Sequence, residues 1–277
     1  MSTEAANTRE TSSWEEAEQQ ADQEYSLGKY HSSVALLKKA IDLLSKDNID
    51  SMLRIYLKLV HSLEGAAKYS ESLEMLDKAG QLLATLKEKN DDYELEIKNN
   101  TSKMHIFLGN YLKAIEIVKG VIEHMEKNKN TTSRIYAQAL SIQGMVQEKL
   151  AQYQLSIESY KKSLKILEAT PNSHFEQAKV LIEIGLNHDM LSEYESSINY
   201  YNKAEEALNQ AGKCPEHPER ANLKEHLGWG MLNRGYQKGL PLIEESIKIY
   251  EACLGPDHPN LAKAYLKKAF TYKDRKS

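Results

Sequence analysis

The segment LIEIGLNHDMLSEYESSINYYNKA, from Leu181 to Ala204, contains two helical patterns separated by a short break. In each half, apolar or small residues recur at the i, i+3, i+4, i+7 spacing of one helix face. The break, 191–193, is too short to separate independent helices, so the two are predicted to fold back as an antiparallel pair. Gly185 and Ala204 are small residues where the two helix backbones would cross.

The same pattern recurs along the chain, and a tyrosine marks each occurrence. These tyrosines open the second helix of each pair: Tyr30, Tyr69, Tyr111, Tyr153, Tyr194 and Tyr236. The successive spacings are 39, 42, 42, 41 and 42 residues. A fixed period of about 20–50 residues indicates a solenoid, in which each helix pair buries its apolar face by stacking on its neighbours. The sequence therefore predicts an all-α array of six antiparallel helix pairs.

The predicted array spans residues 14–274. Residues 1–13 are polar and aperiodic and are predicted to form a disordered tail. The pairs are predicted at about 14–45, 50–89, 91–127, 131–169, 174–211 and 217–254, and a capping helix at 258–274. His174, His217 and His258 occupy equivalent positions at predicted helix starts, and proline follows two of them, which favours a first helical turn.

Composition narrows the functional classes. The chain has 277 residues and a net charge of −4, so its overall charge favours neither nucleic acid nor an anionic membrane. Its two cysteines do not make a disulfide framework and fit a reducing compartment. The N-terminus lacks an apolar signal core, and no stretch approaches the roughly 18 apolar residues of a membrane helix. We therefore expect a cytoplasmic protein without membrane insertion or nucleic-acid partners.

The sequence carries no recognisable catalytic pattern. P-loop, GxGxxG, HExxH and GxSxG motifs are absent. Cys214, His217, Cys253 and His258 have spacings that resemble those of zinc ligands. However, the two Cys–His pairs fall in different predicted turns, and each histidine is explained as a helix-start residue. The sequence therefore predicts no catalytic residues, no metal and no cofactor.

The small residues Gly144, Gly185 and Gly228, the six tyrosines, and alanines near the ends of second helices together resemble the tetratricopeptide repeat. The period near 42 and the segment 212–265 resemble the long-helix subgroup of kinesin light chain and nephrocystin-3. The resemblance implies a right-handed superhelix whose concave groove binds a protein or peptide segment. The chain departs from the family where second helices carry serine instead of alanine, at Ser33, Ser72, Ser156 and Ser197.

In that family, the residue after the small crossing position of the first helix points into the groove. This register gives three polar residues, Asp22, His61 and Lys103, followed by four apolar residues that we call the apolar stripe: Met145, Leu186, Trp229 and Phe270. Exposed contiguous apolar residues mark recognition surfaces, and tryptophan is a frequent hot spot. Flanking polar candidates are Asn99, Asn100, Lys149, Glu183, His226, Asn233 and Lys267. A register one residue different would move Trp229 and Phe270 into the core.

These features predict a non-enzymatic scaffold or adaptor that binds a partner segment in the groove. A clamp for acidic chaperone tails is disfavoured, because Asp22 stands where the known clamp has asparagine and would repel a carboxylate. One alternative is a peptide-sensing regulator that changes superhelical pitch on binding. Another, by analogy with kinesin light chain, is a subunit of a cytoskeletal or motor-associated assembly. The sequence leaves the oligomeric state and the partner open.

Overall fold

The computed structural model describes residues 13–45, 47–86 and 90–273, so the predicted tail lies outside the described residues except for Ser13. Within these ranges the regular elements are helices, which run as follows: α1 Trp14–Ser26, α2 Tyr30–Leu43, α3 Ile49–Gly65, α4 Tyr69–Leu83, α5 Asp91–Phe107, α6 Tyr111–Lys127, α7 Arg134–Lys149, α8 Tyr153–Glu168, α9 His174–Met190, α10 Tyr194–Gln210, α11 Pro218–Asn233, α12 Gly239–Cys253 and α13 Pro259–Lys273.

Consecutive helices pack against each other from α1 to α13. First helices of neighbouring pairs also meet, as α3 does with α5, α5 with α7, α9 with α11, and α11 with α13. This connectivity is that of an α-solenoid, which confirms the predicted fold class. Among the described helices, none is both long and apolar enough to cross a membrane.

Most first helices begin at a side chain that caps them. Ser13, Asn48, Asn90 and Ser133 each accept a hydrogen bond from the backbone N–H three residues on. His217 and His258 do this with Nδ1, which accepts from the N–H of the residue two positions on, at 3.1 and 3.2 Å. Their role as helix-start residues is therefore confirmed. Within the described ranges, no group of three or more potential ligands is arranged to hold a metal ion.

Five of the six marker tyrosines are the first residues of their second helices, as predicted. Tyr236 is the exception, because it lies in the connection before α12 and is 53% exposed. At this crossing the two backbones touch: a Cβ atom on Gly239 would lie 2.1 Å from the carbonyl oxygen of Gly228. The second helix therefore begins at a residue without a side chain, three positions later than predicted.

The crossings in the middle of the array are filled by buried tyrosines. A Cβ atom on Gly185 would lie 2.5 Å from the ring of Tyr201, and one on Gly144 would lie 3.1 Å from the ring of Tyr160. The serines that replace the family's alanine add a hydrogen bond at two crossings. Ser156 Oγ donates to the carbonyl oxygen of Gly144 at 2.9 Å, and Ser33 makes the equivalent bond in the first pair.

The array also closes on itself, which the sequence did not predict. The α1–α2 turn packs against the start of α11, where a Cβ atom on Gly28 would lie 2.2 Å from Cδ of Pro218. Tyr30 belongs to the same buried cluster as Tyr250 of α12 and Leu261 of α13. This contact between the first pair and the last elements is called the seam below.

Two histidines hydrogen-bond across the seam. Nε2 of His31, in α2, lies 3.2 Å from the carbonyl oxygen of Leu254. Nε2 of His258 lies 3.1 Å from the carbonyl oxygen of Gly65, at the end of α3. Because Nδ1 of His258 accepts a backbone bond, its Nε2 carries the proton and donates to Gly65. Both bonds join segments that are far apart in the chain.

Helix α13 fulfils the predicted capping role only in part. Its inner side covers the sixth pair through Leu261 and Ala264, which are buried. Three other apolar side chains of α13 remain exposed: Tyr265, Leu266 and Phe270 are 45%, 60% and 55% exposed. A capping repeat has a polar outer face. Helix α13 therefore covers the sixth pair and itself leaves an apolar face exposed.

Candidate partner-binding groove

The first helices of the pairs present one continuous face, which we call the groove. Contacts between residues about one repeat apart connect each helix to the next: Glu18 with Arg54 at 2.8 Å, Glu64 with Lys103 at 2.5 Å, Lys179 with Glu219 at 4.0 Å, and Glu225 with Lys267 at 2.7 Å. These pairs join α1 to α3, α3 to α5, α9 to α11, and α11 to α13. Neighbouring first helices therefore lie side by side with their polar side chains in register.

The surroundings of Lys179 indicate that the row of first helices is curved. This residue of α9 is partly exposed, yet Tyr25 of α1, Glu219 of α11 and Glu64 of α3 all act on its charge. Burial disfavours the ammonium, but these acidic neighbours outweigh it and raise the pKa of Lys179. Groups from both ends of the array thus face the same residue, in agreement with the closed seam.

The predicted polar residues of the groove divide into accessible and buried ones. His61 retains about a third of its side-chain exposure and lies 3.9 Å from Oε1 of Glu96. Lys103 is held by Glu64. Asn100 is fully buried: its Nδ2 donates to the carbonyl oxygen of Glu96 at 3.0 Å, and its Oδ1 accepts from Gln138 at 3.4 Å.

The buried asparagines are not available to a partner. Asn99 is fully buried like Asn100, and its Nδ2 donates to the carbonyl oxygen of Ile135 at 3.0 Å. Both amides join α5 to α7 instead of facing a ligand. The predicted partner-binding role of Asn100 is therefore wrong, because a polar side chain on this helix face pairs with the next helix.

The four residues of the apolar stripe are all at least partly exposed. They lie on four consecutive first helices: Met145 on α7, Leu186 on α9, Trp229 on α11 and Phe270 on α13. The rings of Trp229 and Phe270 are neighbours, with centroids 6.4 Å apart. Nζ of Lys267 lies 6.0 Å from the Trp229 ring centroid. Trp229 packs against the core of the sixth pair, whereas Phe270 is 55% exposed. Phe270 is therefore accessible, whereas Trp229 is shared between the groove and the core.

The two other predicted residues of α11 differ in their surroundings. His226 stacks on Tyr201, with ring centroids 6.5 Å apart. Burial, together with Lys267, Lys263 and Lys149, holds the pKa of His226 well below its usual range, so the imidazole is neutral at physiological pH. Asn233 is the last residue of α11 and is exposed.

A second polar cluster lies between α7 and α9, and sequence reasoning found only part of it. Lys149 and Glu183 were candidates, whereas Glu148 and Asn187 were missed. Lys149 Nζ lies 2.7 Å from Oε1 of Glu148, and Asn187 Nδ2 lies 3.4 Å from Oε2 of Glu148. The spacing of 39 between Glu148 and Asn187 is the signal that would have revealed the cluster, because other groove contacts share it.

Comparison with known proteins identifies the repeat. A tetratricopeptide repeat family model matches residues 135–210, which are the fourth and fifth helix pairs. The fourth and fifth helix pairs are therefore tetratricopeptide repeats. A comparison of the chain with curated sequences gives no match.

Solved structures share the fold of this chain. A Rap protein complexed with competence and sporulation factor is 12% identical, with a TM-score of 0.64 over 94% of this chain and 73% of that chain. NprR in complex with its cognate peptide NprX is 14% identical, with a TM-score of 0.63 over 89% and 68%. A variant of a putative kinesin light chain from Podosopora anserina is 14% identical, with a TM-score of 0.52 over 72% and 95%. At these identities the similarity shows the fold.

Proposed function

We propose that this tetratricopeptide-repeat protein is a non-enzymatic, cytoplasmic scaffold that binds a peptide segment of a partner protein in the groove. The observation that carries the proposal is the aromatic pair at the C-terminal end of the stripe. Phe270 is more than half exposed, although it lies against Trp229. Large aromatic side chains that stay accessible at one end of a partly buried apolar row are typical of binding hot spots.

The polar half of the groove contributes less than the sequence suggested. Asn100 accepts a hydrogen bond from Gln138, and Lys103 forms an ion pair with Glu64. An acidic group of a partner would have to compete with Glu64 for the Lys103 ammonium. We therefore assign most of the affinity to Met145, Leu186 and the aromatic pair.

A second candidate is the peptide-sensing regulator, and the seam favours it. Because the α1–α2 turn packs against α11, the ends of the superhelix are in contact. A segment that enters the groove and changes the pitch would open or tighten this contact. One of the similar structures contains a cognate peptide and another contains competence and sporulation factor, which supports the same use of the fold. The cytoskeletal alternative depends on the likeness to kinesin-light-chain repeats alone.

The test is a peptide selection followed by quantitative binding. Peptides are selected on the full chain from a display library, and their affinities are measured by fluorescence anisotropy. Phe270→Ser is expected to weaken the selected peptides about tenfold or more. Leu112→Ser is the control, because Leu112 is 84% exposed on the second helix α6. Equal affinities for the wild type and Phe270→Ser would contradict the groove assignment.

The same samples distinguish the two candidate functions. Small-angle scattering gives the radius of gyration with and without the selected peptide. A static scaffold is expected to keep its radius of gyration, whereas a regulator that changes pitch is expected to shift it. Trp229→Ser is measured only after circular dichroism shows wild-type helicity, because Trp229 also packs on the core.

A further inference from the structure

One step of the groove differs from the others in its charge pattern. Opposite charges join α1 to α3, α3 to α5, α9 to α11, and α11 to α13, as described above, and neutral amides join α5 to α7. Between α7 and α9, however, Asn187 contacts both Glu148 and Glu183, and the charge of Glu148 acts on the carboxyl group of Glu183. We call these two glutamates the acidic pair. The step between α7 and α9 is therefore the one described step at which two acidic side chains are neighbours.

The acceptors at the acidic pair outnumber the donors. Lys149 approaches Oε1 of Glu148 at 2.7 Å. Asn187 Nδ2 reaches Oε2 of Glu148 at 3.4 Å and donates to the backbone carbonyl oxygen of Glu183 at 2.8 Å. Asn187 is fully buried, and its Oδ1 has no hydrogen-bond partner. Because Oδ1 and Nδ2 belong to one planar amide, this unsatisfied acceptor lies beside the carboxyl groups.

A proton compensates for the second negative charge of the acidic pair, which Lys149 alone does not neutralise. Burial, and next the charge of Glu148, raise the pKa of Glu183 to about 8, although Lys149 opposes this shift. Glu219 of α11 adds a further negative charge. Tyr160 of α8 and Tyr201 of α10 also face Glu183 and remain neutral because burial raises their pKa values. Glu183 therefore holds a proton at neutral pH.

The neighbours of the acidic pair connect it to the apolar stripe. Met145 stands three positions before Glu148, and Leu186 stands three positions after Glu183. Residues three apart share one face of a helix. Glu148 keeps only a small part of its side chain exposed, whereas Glu183 is intermediate. A group that enters from the groove therefore meets Glu183 first, between two apolar residues.

We propose that the acidic pair is the subsite for a cationic side chain of the bound segment, an arginine guanidinium or a lysine ammonium flanked by apolar residues. The cation replaces the proton of Glu183, which passes to solvent, and N–H groups of the ligand donate to the two carboxylates and to Oδ1 of Asn187. A guanidinium suits this set best, because its planar donors bond carboxylates in pairs. The proposal rests on the proposed function, since it names the chemistry of the segment in the groove.

The test uses two probe peptides that differ in one charge. Acetyl-Leu-Arg-Leu-amide carries the guanidinium, and acetyl-Leu-citrulline-Leu-amide has the same shape without charge. Binding to the full chain is followed by isothermal titration at neutral pH. The wild type is expected to bind the arginine peptide about tenfold more tightly than the citrulline peptide. Glu183→Gln should abolish this preference, and Glu195→Gln, which removes an exposed glutamate of α10, should keep it.

Proton release gives a readout that a merely structural role would not produce. Titrations in buffers of different ionisation enthalpy should show up to one proton released per arginine peptide near pH 7. The release should vanish above pH 9, where Glu183 is already ionised, and also in Glu183→Gln. Equal affinity of the two peptides, or binding of the arginine peptide without proton release at pH 7, overturns the subsite. Displacement of the arginine peptide by millimolar calcium or magnesium, with the citrulline peptide unaffected, would assign the acidic pair to a metal instead.

The outcomes separate the subsite from the proposed function. If Phe270→Ser weakens both peptides equally and Glu183→Gln changes neither, the groove binds segments but the acidic pair is not a subsite. If Glu183→Gln removes the charge preference and Phe270→Ser has no effect, the subsite stands and the assignment of the aromatic pair fails. If neither probe binds at millimolar concentration and the Glu183 carboxyl carbon shows no NMR shift with arginine amide, the subsite is overturned.

Discussion

The two ends of the array contrast in how they meet solvent and the rest of the molecule. The N-terminal helix α1 exposes polar side chains, among them Glu15, Glu16 and Asp22, and its turn with α2 packs into the seam. The C-terminal helix α13 exposes Leu266 and Phe270. The N-terminal end thus exposes polar side chains and packs against the rest of the protein, whereas the C-terminal end exposes apolar side chains.

This difference has a consequence for cooperativity. In an open solenoid each repeat contacts only its neighbours, so its stability is a sum of local terms. The seam adds a contact between the first pair and the last elements, and it thereby couples the ends. The outer face of α13 adds no such coupling. Substitutions at the seam should therefore affect the whole array, and substitutions on the outer face of α13 should affect association more than stability.

The largest effect is expected for Gly28→Ala compared with Gly109→Ala. The two glycines occupy equivalent turns and have nearly the same backbone, with φ of +76° and +79°. The strain of a left-handed alanine, about 1 kcal/mol, is common to both. At Gly28 the new Cβ atom would also lie 2.2 Å from Pro218, whereas nothing lies within 4 Å of it at Gly109.

We therefore expect Gly28→Ala to lower the free energy of unfolding by about 3 kcal/mol, and Gly109→Ala by about 1 kcal/mol. Urea unfolding measures both. If the seam opens without unfolding, the radius of gyration of Gly28→Ala rises instead. Identical stability and size for the two variants would show that the seam contributes nothing.

The next largest effect is a dependence of the unfolding free energy on pH, and it arises from His217, the N-cap of α11 beside the seam. Burial, with the charges of Lys213, Lys179 and Arg220, lowers the pKa of His217 to about 3. The unfolded chain takes up a proton near pH 6.5, whereas the folded chain does not, so stability is lost as the pH falls below 6.5. Between pH 6 and 4.5 this loss is about 2 kcal/mol.

His217→Asn provides the control for this pH dependence. Asparagine keeps a capping acceptor for the start of α11 but does not titrate in this range. The difference in unfolding free energy between the wild type and His217→Asn should therefore change by about 2 kcal/mol from pH 6 to 4.5. Parallel stability curves for the two proteins would contradict the burial of a neutral histidine at this position.

Most of the fold followed from local sequence patterns, because periodicity and turn residues act over one repeat. The prediction that Tyr236 starts the second helix of the sixth pair was wrong, because α12 begins where its backbone touches that of Gly228, at Gly239. A helical pattern of apolar residues does not indicate such a backbone contact. The seam joins residues as far apart as Gly28 and Pro218, so it leaves no periodic signal.

The candidate site was less predictable than the fold. A polar residue on the groove face can bind a partner segment, or it can pair with a side chain of the next first helix. The register placed the apolar stripe on successive helices as the structure has it. It did not show that Asn100 is used by Gln138 of the next pair, nor that Glu148 faces Glu183. Both outcomes depend on how first helices pair sideways, and side-chain type alone does not reveal this.

A smaller effect is expected for His31→Ala at the seam. The variant removes the contact between Nε2 of His31 and the carbonyl oxygen of Leu254, which is worth about 1 kcal/mol. Hydrogen exchange should then rise both in α2 and at the C-terminal end of α12, because the bond joins α2 to Leu254, the residue that follows α12. His124→Ala is the control, because it removes an exposed bond to Asn128 and a 3.9 Å contact with Asp91 of the neighbouring α5, and it should change exchange only in α5 and α6. Faster exchange confined to α2 would argue against coupling through the seam.

The smallest effect on stability is expected at the other end, for Leu266→Lys on α13. Because the leucine side chain is 60% exposed, its replacement should change the unfolding free energy by less than about 0.5 kcal/mol. Its removal should reduce self-association, since a contiguous apolar face favours contact between molecules. Sedimentation velocity over a range of concentrations measures this, with Leu155→Lys on α8, 48% exposed, as the control. If both variants associate like the wild type, the apolar face of α13 is not an association surface, and the contrast between the two ends is limited to the seam.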